Sequence, residues 1–306
     1  MHPEAAPPSR DATAARARLS PAARGRLLPL PLRFFVALVA AATVLATGIP
    51  VLNVLAVSLS SRAASENPGL VLLPAEPTLE GYSFVWSTID IWRPFLNTAG
   101  TAIAGTVLHG LLAALAGYVL LQDGMPLRKA LTTFVILTMT VPGELTLVSI
   151  YAVNKEFRLI NTYAGLVING AVSGFSVLLM RDYFKSIPSS LAESARMDGC
   201  AEPGIFSRIF LPLAKPGLAT VATLELMRRW NNIAMTVTLI SDMKKTTLPV
   251  ILRSLLFEMS ATSGQAYVFA NAKMAAVVIA ALPLVILYLC AQRFFVSGAL
   301  AGSVKG

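Results

Sequence analysis

The sequence predicts an all-α membrane protein with six transmembrane helices and both termini in the cytoplasm. Three observations carry that expectation. Hydrophobic residues fill 55% of the 306 positions and charged residues only 13%, with a mean hydropathy of +0.67, whereas a soluble domain carries about a quarter charged residues. Six runs are long enough for a hydrocarbon core, which takes about 20 mainly apolar residues per helix. Of the 25 Lys and Arg, 15 fall on the side of those runs that holds both chain ends, the asymmetry expected of cytoplasmic segments.

The same numbers exclude several functions. A formal charge of +9 would suggest nucleic acid in a soluble protein, but here the cations gather at the ends of apolar runs, where they orient helices. Cys200 and Cys290 form no disulfide framework, and His2 and His109 stand too far apart for a zinc cluster. The chain is expected to carry no metal and no cofactor.

Taken in order, residues 1–33 are rich in Ala, Pro and Arg and read as a flexible basic cytoplasmic tail. A cleaved signal peptide is the competing reading, but the run at 34–59 far exceeds the roughly 7–15 apolar residues of a signal core. The membrane domain is therefore expected over 34–306, with spans at 34–59, 95–121, 130–153, 163–184, 213–229 and 272–296. The fifth is the weakest by hydropathy, because Pro212 and Pro216 interrupt its start and Glu225 lies within it. Outside, residues 60–94 hold four acids with Trp86 and Trp92, which suits a loop with a short interfacial helix. Residues 231–271 hold a second short amphipathic segment after Pro249. Each suits either an external partner or a plain cap on the bundle.

The most informative stretch is the polar interruption at 188–212. Pro188 disfavours helix at Ile187 and so ends the fourth span. Ser190 with Glu193 three residues on makes a capping box, predicting a helix from about Leu191, and Gly199 supplies the left-handed residue that ends it. Pro203 opens a second short helix presenting Ile205, Phe206, Ile209 and Phe210, and Pro212 stops it. Taken singly these signals describe any connection between two spans.

Their combined spacing is more specific. Glu193, Ser194, Ala195, Asp198, Gly199, Ile209, Leu211 and Pro212 stand as in the EAA loop of permease subunits of bacterial ATP-binding-cassette importers, which this loop resembles. Ser194 and Cys200 replace usual alanines with other small residues. The likeness continues at Asn97 and Thr98, at 159–162, at Trp230 and Asn231, and in the tail at 294–298 and 303–306. It covers 34–306 and is similar to the maltose-type carbohydrate permeases, especially those importing oligosaccharides such as aldouronates and alginate fragments. Arg158 departs from the pattern, where a glycine is usual.

The resemblance implies a type I importer permease fold in which this loop is the coupling element. Leu191 and Ala195 would face a separate ATPase, and Ile205 to Phe210 the bundle. There is no GxxxxGK[ST] phosphate loop, so ATP and Mg would be held by a pair of ATPase subunits. A second, non-identical permease subunit, an extracytoplasmic solute-binding protein and membrane lipid complete the expected partners. Ionisable residues within spans are functional candidates by default, and the substrate-path candidates are Glu144, Glu225, Trp230 and Asn231. For Glu225 the alternative is a helical ion pair with Arg228 and Arg229, and His109 is expected to pack against a neighbouring helix. Trp230 and Asn231, with Asn232, suit a sugar ring, although aromatics are also normal at a membrane interface. The expected function is carbohydrate import, by a transport protein that is not an enzyme. The alternatives are another solute carried by the same machinery, or an ATP-independent secondary transporter.

Overall fold

The computed structural model describes residues 29–67, 69–74, 76–257 and 268–303, with backbone alone at 30, 144, 255–257 and 290–303. The tail expected at 1–33 therefore lies outside the described residues except for 29–33, as do 304–306 of the C-terminal motif. The chain divides into two units, 1–52 and 53–306. Among the described residues every regular element is helical, apart from one isolated bridge between Ser60 and Pro77.

Helix α1 (Leu30–Ser58) carries Pro50 in its interior. In the first unit its few polar side chains are satisfied locally. Thr43 donates to the Val39 carbonyl at 2.9 Å and Thr47 to that of Thr43 at 2.8 Å, as hydroxyls in an apolar helix must.

The second unit contains the short α2 (Arg62–Ser65) and α3 (Glu80–Thr88), then the long α4 (Trp92–Val119). The buried face of α4 consists largely of small residues: Ala102, Gly105, Gly110, Ala113, Ala114 and Gly117. Small side chains let helix backbones approach closely where lipid removes the usual hydrophobic drive. At Gly117 an added Cβ would lie 2.8 Å from the Arg181 backbone nitrogen, and at Gly105 it would overlap the Arg229 guanidinium.

Helix α4 packs against two others. Helix α8 (Gly174–Lys185) lies on its small-residue face, and α12 (Lys215–Trp230) lies beside both. The last long helix, α15 (Ala270–Ser303), packs on α12 and α3. Between these run α5 (Arg128–Thr138), α6 (Leu147–Glu156), α7 (Tyr163–Ile168), α9 (Ser189–Met197), α10 (Glu202–Ile205), α11 (Leu211–Leu213), α13 (Ile233–Leu239) and α14 (Leu248–Phe257).

Three helices among the described residues are long and apolar enough to cross a membrane unaided: Pro31–Ser58, Trp92–Val119 and Ala270–Leu289. The runs at 130–153 and 163–184, expected as single spans, are each broken. In the first, α5 ends before Pro142, which lacks an N–H, and a 3-10 turn over Gly143–Thr146 leads into α6. In the second, α7 stops at Asn169, whose backbone is extended, and Gly170 turns left-handed at φ 72°. Ser173 then caps α8 by accepting the Ser176 N–H at 3.3 Å.

The expected fifth span begins at Lys215, with Pro216 in its first turn where no N–H is needed. The Glu202–Leu213 stretch meets it at a 76° bend.

The two larger of three buried clusters organise the second unit, the smallest being Leu166, Leu239 and Ile240. One joins Ala113, Tyr118, Met180 and Phe184 to Ala192, Ile205 and Phe210 of the 188–212 loop. The other joins Val85 and Ile91 to Leu248, Leu252, Ala272 and Ala275.

Candidate functional site

Two regions hold the residues singled out from the sequence. The first is the 188–212 loop. Helix α9 starts at Ser189 after Pro188, with no side-chain cap. The predicted Ser190–Glu193 capping box does not form, because Ser190 already lies inside the first turn; the Leu191 N–H bonds the Pro188 carbonyl instead, at 3.2 Å. The end of the helix is as the glycine predicts. Gly199 has φ 80°, and the Cys200 N–H reaches back to the Ala195 carbonyl at 2.9 Å, the six-to-one bond of a Schellman turn.

Pro212 does not stop the second helix. Helix α10 runs into a π-helical stretch, Phe206–Phe210, in which the Leu211 N–H bonds the Phe206 carbonyl, and α11 continues to Leu213. A wider i to i+5 turn accommodates the proline ring, which would otherwise meet the carbonyl four residues back.

The loop has a distinct inner and outer face. Ile205 and Phe210 are buried, and Ile209 and Leu211 pack half-buried against the same cluster. Tyr118, Phe184, Phe206 and Phe210 pack at centroid distances of 5.0–6.2 Å, edge-on except for the tilted Tyr118–Phe206 pair, and an edge-on pair is worth about 0.5–1.5 kcal/mol beyond the area buried. Ala195, expected to face outward, packs inward beside the buried Ala192. The outer face consists of Leu191, Glu193, Ser194, Met197, Asp198 and Gly199, with Met197 88% exposed. Pro212 is exposed as well.

Sequence reasoning missed the polar clasp beneath that face. Glu202 accepts Arg196 Nε at 2.6 Å and the Tyr118 hydroxyl at 2.6 Å, and Arg196 Nη2 reaches Gln122 Oε1 at 3.3 Å. The hydrogen bonds from Arg196 and then Tyr118 hold the Glu202 carboxyl below the usual carboxylate range, while Glu202 pushes Arg196 further up. The Arg196–Glu202 half was open to inference, since the Gly199 turn brings residues six apart to face each other. Nothing local marked Tyr118.

The second region is a buried charged cluster where α4, α7, α8 and α12 meet. Glu225 is 4% exposed and takes Arg228 Nε at 2.8 Å, Arg228 Nη2 at 2.6 Å and Arg229 Nε at 2.6 Å. The helical ion pairs weighed as an alternative role for Glu225 are therefore present. Arg229 then spans the break in the expected fourth span. Its Nη1 donates to the Leu166 and Val167 carbonyls at 3.0 and 3.2 Å, and its Nη2 to Gly170 at 2.9 Å. A cation on the last carbonyls of α7 suits the helix dipole and satisfies backbone groups that a broken helix leaves open.

His109, fully buried, completes the joint. Nδ1 lies 2.9 Å from the Gly170 carbonyl and 3.4 Å from Glu225 Oε1, and Nε2 lies 2.8 Å from Ser176 Oγ. It packs against neighbouring helices as expected.

The remaining path candidates are dispersed. Glu144 sits on the 3-10 turn between α5 and α6, with its side chain outside the described residues. Trp230 is buried edge-on to Phe95 at 5.8 Å, and its Nε1 has no hydrogen-bond partner among the described residues. Asn231 is exposed and donates to the Met227 carbonyl at 3.1 Å. Asn232 caps α13, its Oδ1 accepting the Met235 N–H at 3.1 Å.

The motif residues outside these regions act as ties. Asn97 donates to the Lys244 and Thr246 carbonyls at 3.0 and 2.9 Å, and Thr98 accepts the Leu248 N–H at 2.8 Å. Asn161, at φ 60°, bonds the Leu239 carbonyl and the Asp242 N–H.

Comparison with known proteins gives this architecture its family. Residues 106–299 match the profile described as binding-protein-dependent transport system inner membrane component. The polygalacturonan/rhamnogalacturonan transport system permease protein YtcP of Bacillus subtilis (strain 168) is 30% identical over 266 residues, 84% of this chain and 92% of its own. Protein LplC of the same organism is 32% identical over 267 residues, 85% of this chain and 90% of its own. A crystal structure of a bacterial ABC transporter involved in the import of the acidic polysaccharide alginate superimposes with a TM-score of 0.78 at 25% identity, covering 86% of this chain and 96% of that one. Helical architecture, loop and sequence agree, and the chain belongs to the family of inner membrane components of binding-protein-dependent transport systems.

Proposed function

We propose that this chain is a permease subunit of an ATP-driven, binding-protein-dependent importer of carbohydrate, with an oligosaccharide as cargo. The observation that carries the reading is the 188–212 loop. A rigid aromatic and charged base holds a small, exposed helix with Glu193, Ser194, Asp198 and Gly199 on its outer side, in a chain of the importer family. Relatives named for polygalacturonan and rhamnogalacturonan and for arabinooligosaccharides, and the alginate transporter, support a sugar cargo.

In this reading the chain crosses the cytoplasmic membrane six times with both termini inside, its broken third and fourth spans each counting as one crossing. The loop then lies in the cytoplasm, where Glu193, Ser194, Asp198, Gly199 and Pro212 present the docking surface for an ATPase dimer while Ala195, Ile209 and Leu211 seat it on the bundle. ATP and Mg are bound by those subunits. Closure of the ATPases moves the membrane subunits as rigid bodies and switches the cavity from inward- to outward-facing. A second permease subunit completes the pore, and an external solute-binding protein delivers the sugar. Glu144, Glu225, Trp230 and Asn231 contribute to the path, Glu225 indirectly through the arginines it holds.

The test is reconstitution of this chain with its ATPase, second permease and binding protein. Oligosaccharide uptake that requires ATP inside the vesicle and the binding protein outside is the expected result. Uptake by this chain alone, driven by an ion gradient, would identify a secondary transporter instead.

A further inference from the structure

A groove of about 810 Å³ lies among the end of α4, the start of α5, the end of α8 and the inner side of α9. Its wall on α9 is Ser189, Ala192, Glu193 and Arg196, a single helical stripe. The groove therefore opens beside the face of α9 that carries Leu191, Ser194 and Met197, with Glu193 on the edge between the two.

Five cations line the groove, Arg128, Lys129, Arg181, Lys185 and Arg196, against the carboxylates of Asp123 and Glu193. Arg196 is held in the clasp by Glu202. Arg128 meets Asp123 at 2.6 Å and Arg181 meets its neighbour Asp182 at 3.1 Å, but those carboxylates are 97% and 63% exposed. Such pairs hold weakly, so either arginine can turn to a better placed anion. Lys129 and Lys185 are exposed and make no ion pair or hydrogen bond among the described residues, and a flexible four-carbon stem gives each ammonium a wide reach. Lys185 suits the dipole at the end of α8, whereas Arg128 and Lys129 stand in the first turn of α5, where cations oppose it. Helix α5 itself gives no reason for them.

The lining is also apolar. Leu120 and Phe184 are buried in it, and Leu121 and Ile187 are half-buried. The hydroxyls of Thr132 and Thr133 border the same space without a hydrogen-bond partner among the described residues. Cations, free hydroxyl donors and apolar surface together match an anionic amphiphile better than a bare anion, which has no use for the leucines. In the orientation proposed above, the ends of α4 and α8 and the start of α5 stand at the cytoplasmic border of the bilayer. Anionic headgroups gather there and are drawn to basic pockets between spans.

We propose that this groove binds the headgroup of an anionic phospholipid of the inner leaflet, its phosphodiester met by Lys129 and Lys185 with Thr132 and Thr133 as donors. The bound lipid ties the inner side of the 188–212 loop to the bilayer. The inference rests on the orientation in the permease reading and adds a lipid ligand to it.

The experiment titrates the complete, detergent-purified transporter with phosphatidylglycerol or phosphatidylcholine and counts bound lipid by native mass spectrometry. Wild type should prefer phosphatidylglycerol. Lys129→Gln and Lys185→Gln should each weaken its binding about fivefold and together roughly twenty-five-fold, the scale of one lysine near an anionic surface. Both lysines are exposed and unpaired, so the variants keep the fold. Arg208→Gln with Lys215→Gln removes the same charge from the same side of the chain outside the groove, and should leave the binding unchanged.

Equal weakening by the two double variants would mean diffuse attraction and would overturn the assignment, as would equal affinity for the two lipids. Displacement of the lipid by millimolar inorganic phosphate would reassign the groove to a free anion. Loss of the ATPase from the Lys129→Gln, Lys185→Gln complex, with lipid binding intact, would reassign it to the ATPase. The orientation beneath the proposal is read separately. A cysteine replacing the exposed Asp123 (Asp123→Cys) should react with a membrane-impermeant maleimide only after right-side-out vesicles are opened. Reaction in intact vesicles would bring down that orientation, whatever the lipid titration shows.

Discussion

The 188–212 loop and the Glu225 cluster both join the same helices, α4, α8 and the chain around α12, yet they are built oppositely. The loop is held by apolar and aromatic packing, and its charged clasp of Arg196 and Glu202 is half-exposed. The cluster is held by charge, with Glu225, Arg229 and His109 all at or below 6% exposure. An exposed ion pair is worth about 0–1 kcal/mol, whereas breaking a buried one costs about 3–5 kcal/mol. The loop should therefore tolerate loss of its charges, and the cluster should not.

The largest effect is expected from Arg229→Met. It removes a buried partner of Glu225 and uncovers the Leu166, Val167 and Gly170 carbonyls. Destabilisation of about 3–5 kcal/mol follows, visible as a marked drop in the thermal unfolding temperature of the detergent-purified protein. Arg196→Gln serves as the contrast at the loop and should cost no more than about 1 kcal/mol. Equal losses from the two variants would erase the distinction between the regions.

Next in size is the Tyr118 hydroxyl. Tyr118→Phe keeps the aromatic cluster and removes one bond to Glu202, so a loss of about 1 kcal/mol is expected. Amide hydrogen exchange should quicken over residues 189–205, with the Glu225 region unchanged.

The clasp also has a pH signature. Because the folded-state pKa of Glu202 is lowered, its contribution is fully present above the unfolded value and fades as pH falls through the folded one. Protection over 189–205, taken as exchange corrected for the intrinsic pH dependence of amides, should be flat at neutral pH and fall only once the pH drops below the usual carboxylate range. A transition near neutrality would contradict the assignment.

The smallest effect is expected away from both regions. Arg158 adopts φ 57°, a left-handed conformation that costs a side-chain-bearing residue roughly 1–2 kcal/mol. Arg158→Gly should be neutral or stabilise by up to about 1 kcal/mol, measured by thermal unfolding. The glycine expected at this position by family likeness thus has a backbone reason.

What could be read in the sequence follows the same division. The loop is written in local order: Pro188, Gly199 and Pro203 mark its turns, and their spacing carries the family likeness. The details that failed were matters of one turn, since Ser190 lies just inside α9 and Pro212 is absorbed by a π-helical stretch. The cluster depends on meetings 59 to 67 residues apart, as between Arg229 and the Leu166, Val167 and Gly170 carbonyls and between His109 and Ser176. Only the pair within α12 had a signal, the three- and four-residue spacing of Glu225 to Arg228 and Arg229. The break at Gly170 was hidden by hydropathy, which registers apolar length and not backbone continuity, whereas Pro142 followed by Gly143 signals a kink in the third span, and the structure breaks it there.

The central claim is that the exposed face of α9 transmits the work of ATP hydrolysis to the membrane domain. It is tested by Gly199→Val and Glu193→Lys in the reconstituted complex. The valine forces a β-branched residue into φ 80°, and the lysine reverses a charge on the outer face without touching the buried side. Both variants should insert and remain folded, while uptake and binding-protein-stimulated ATP hydrolysis collapse together. Wild-type rates of both in either variant would contradict the account.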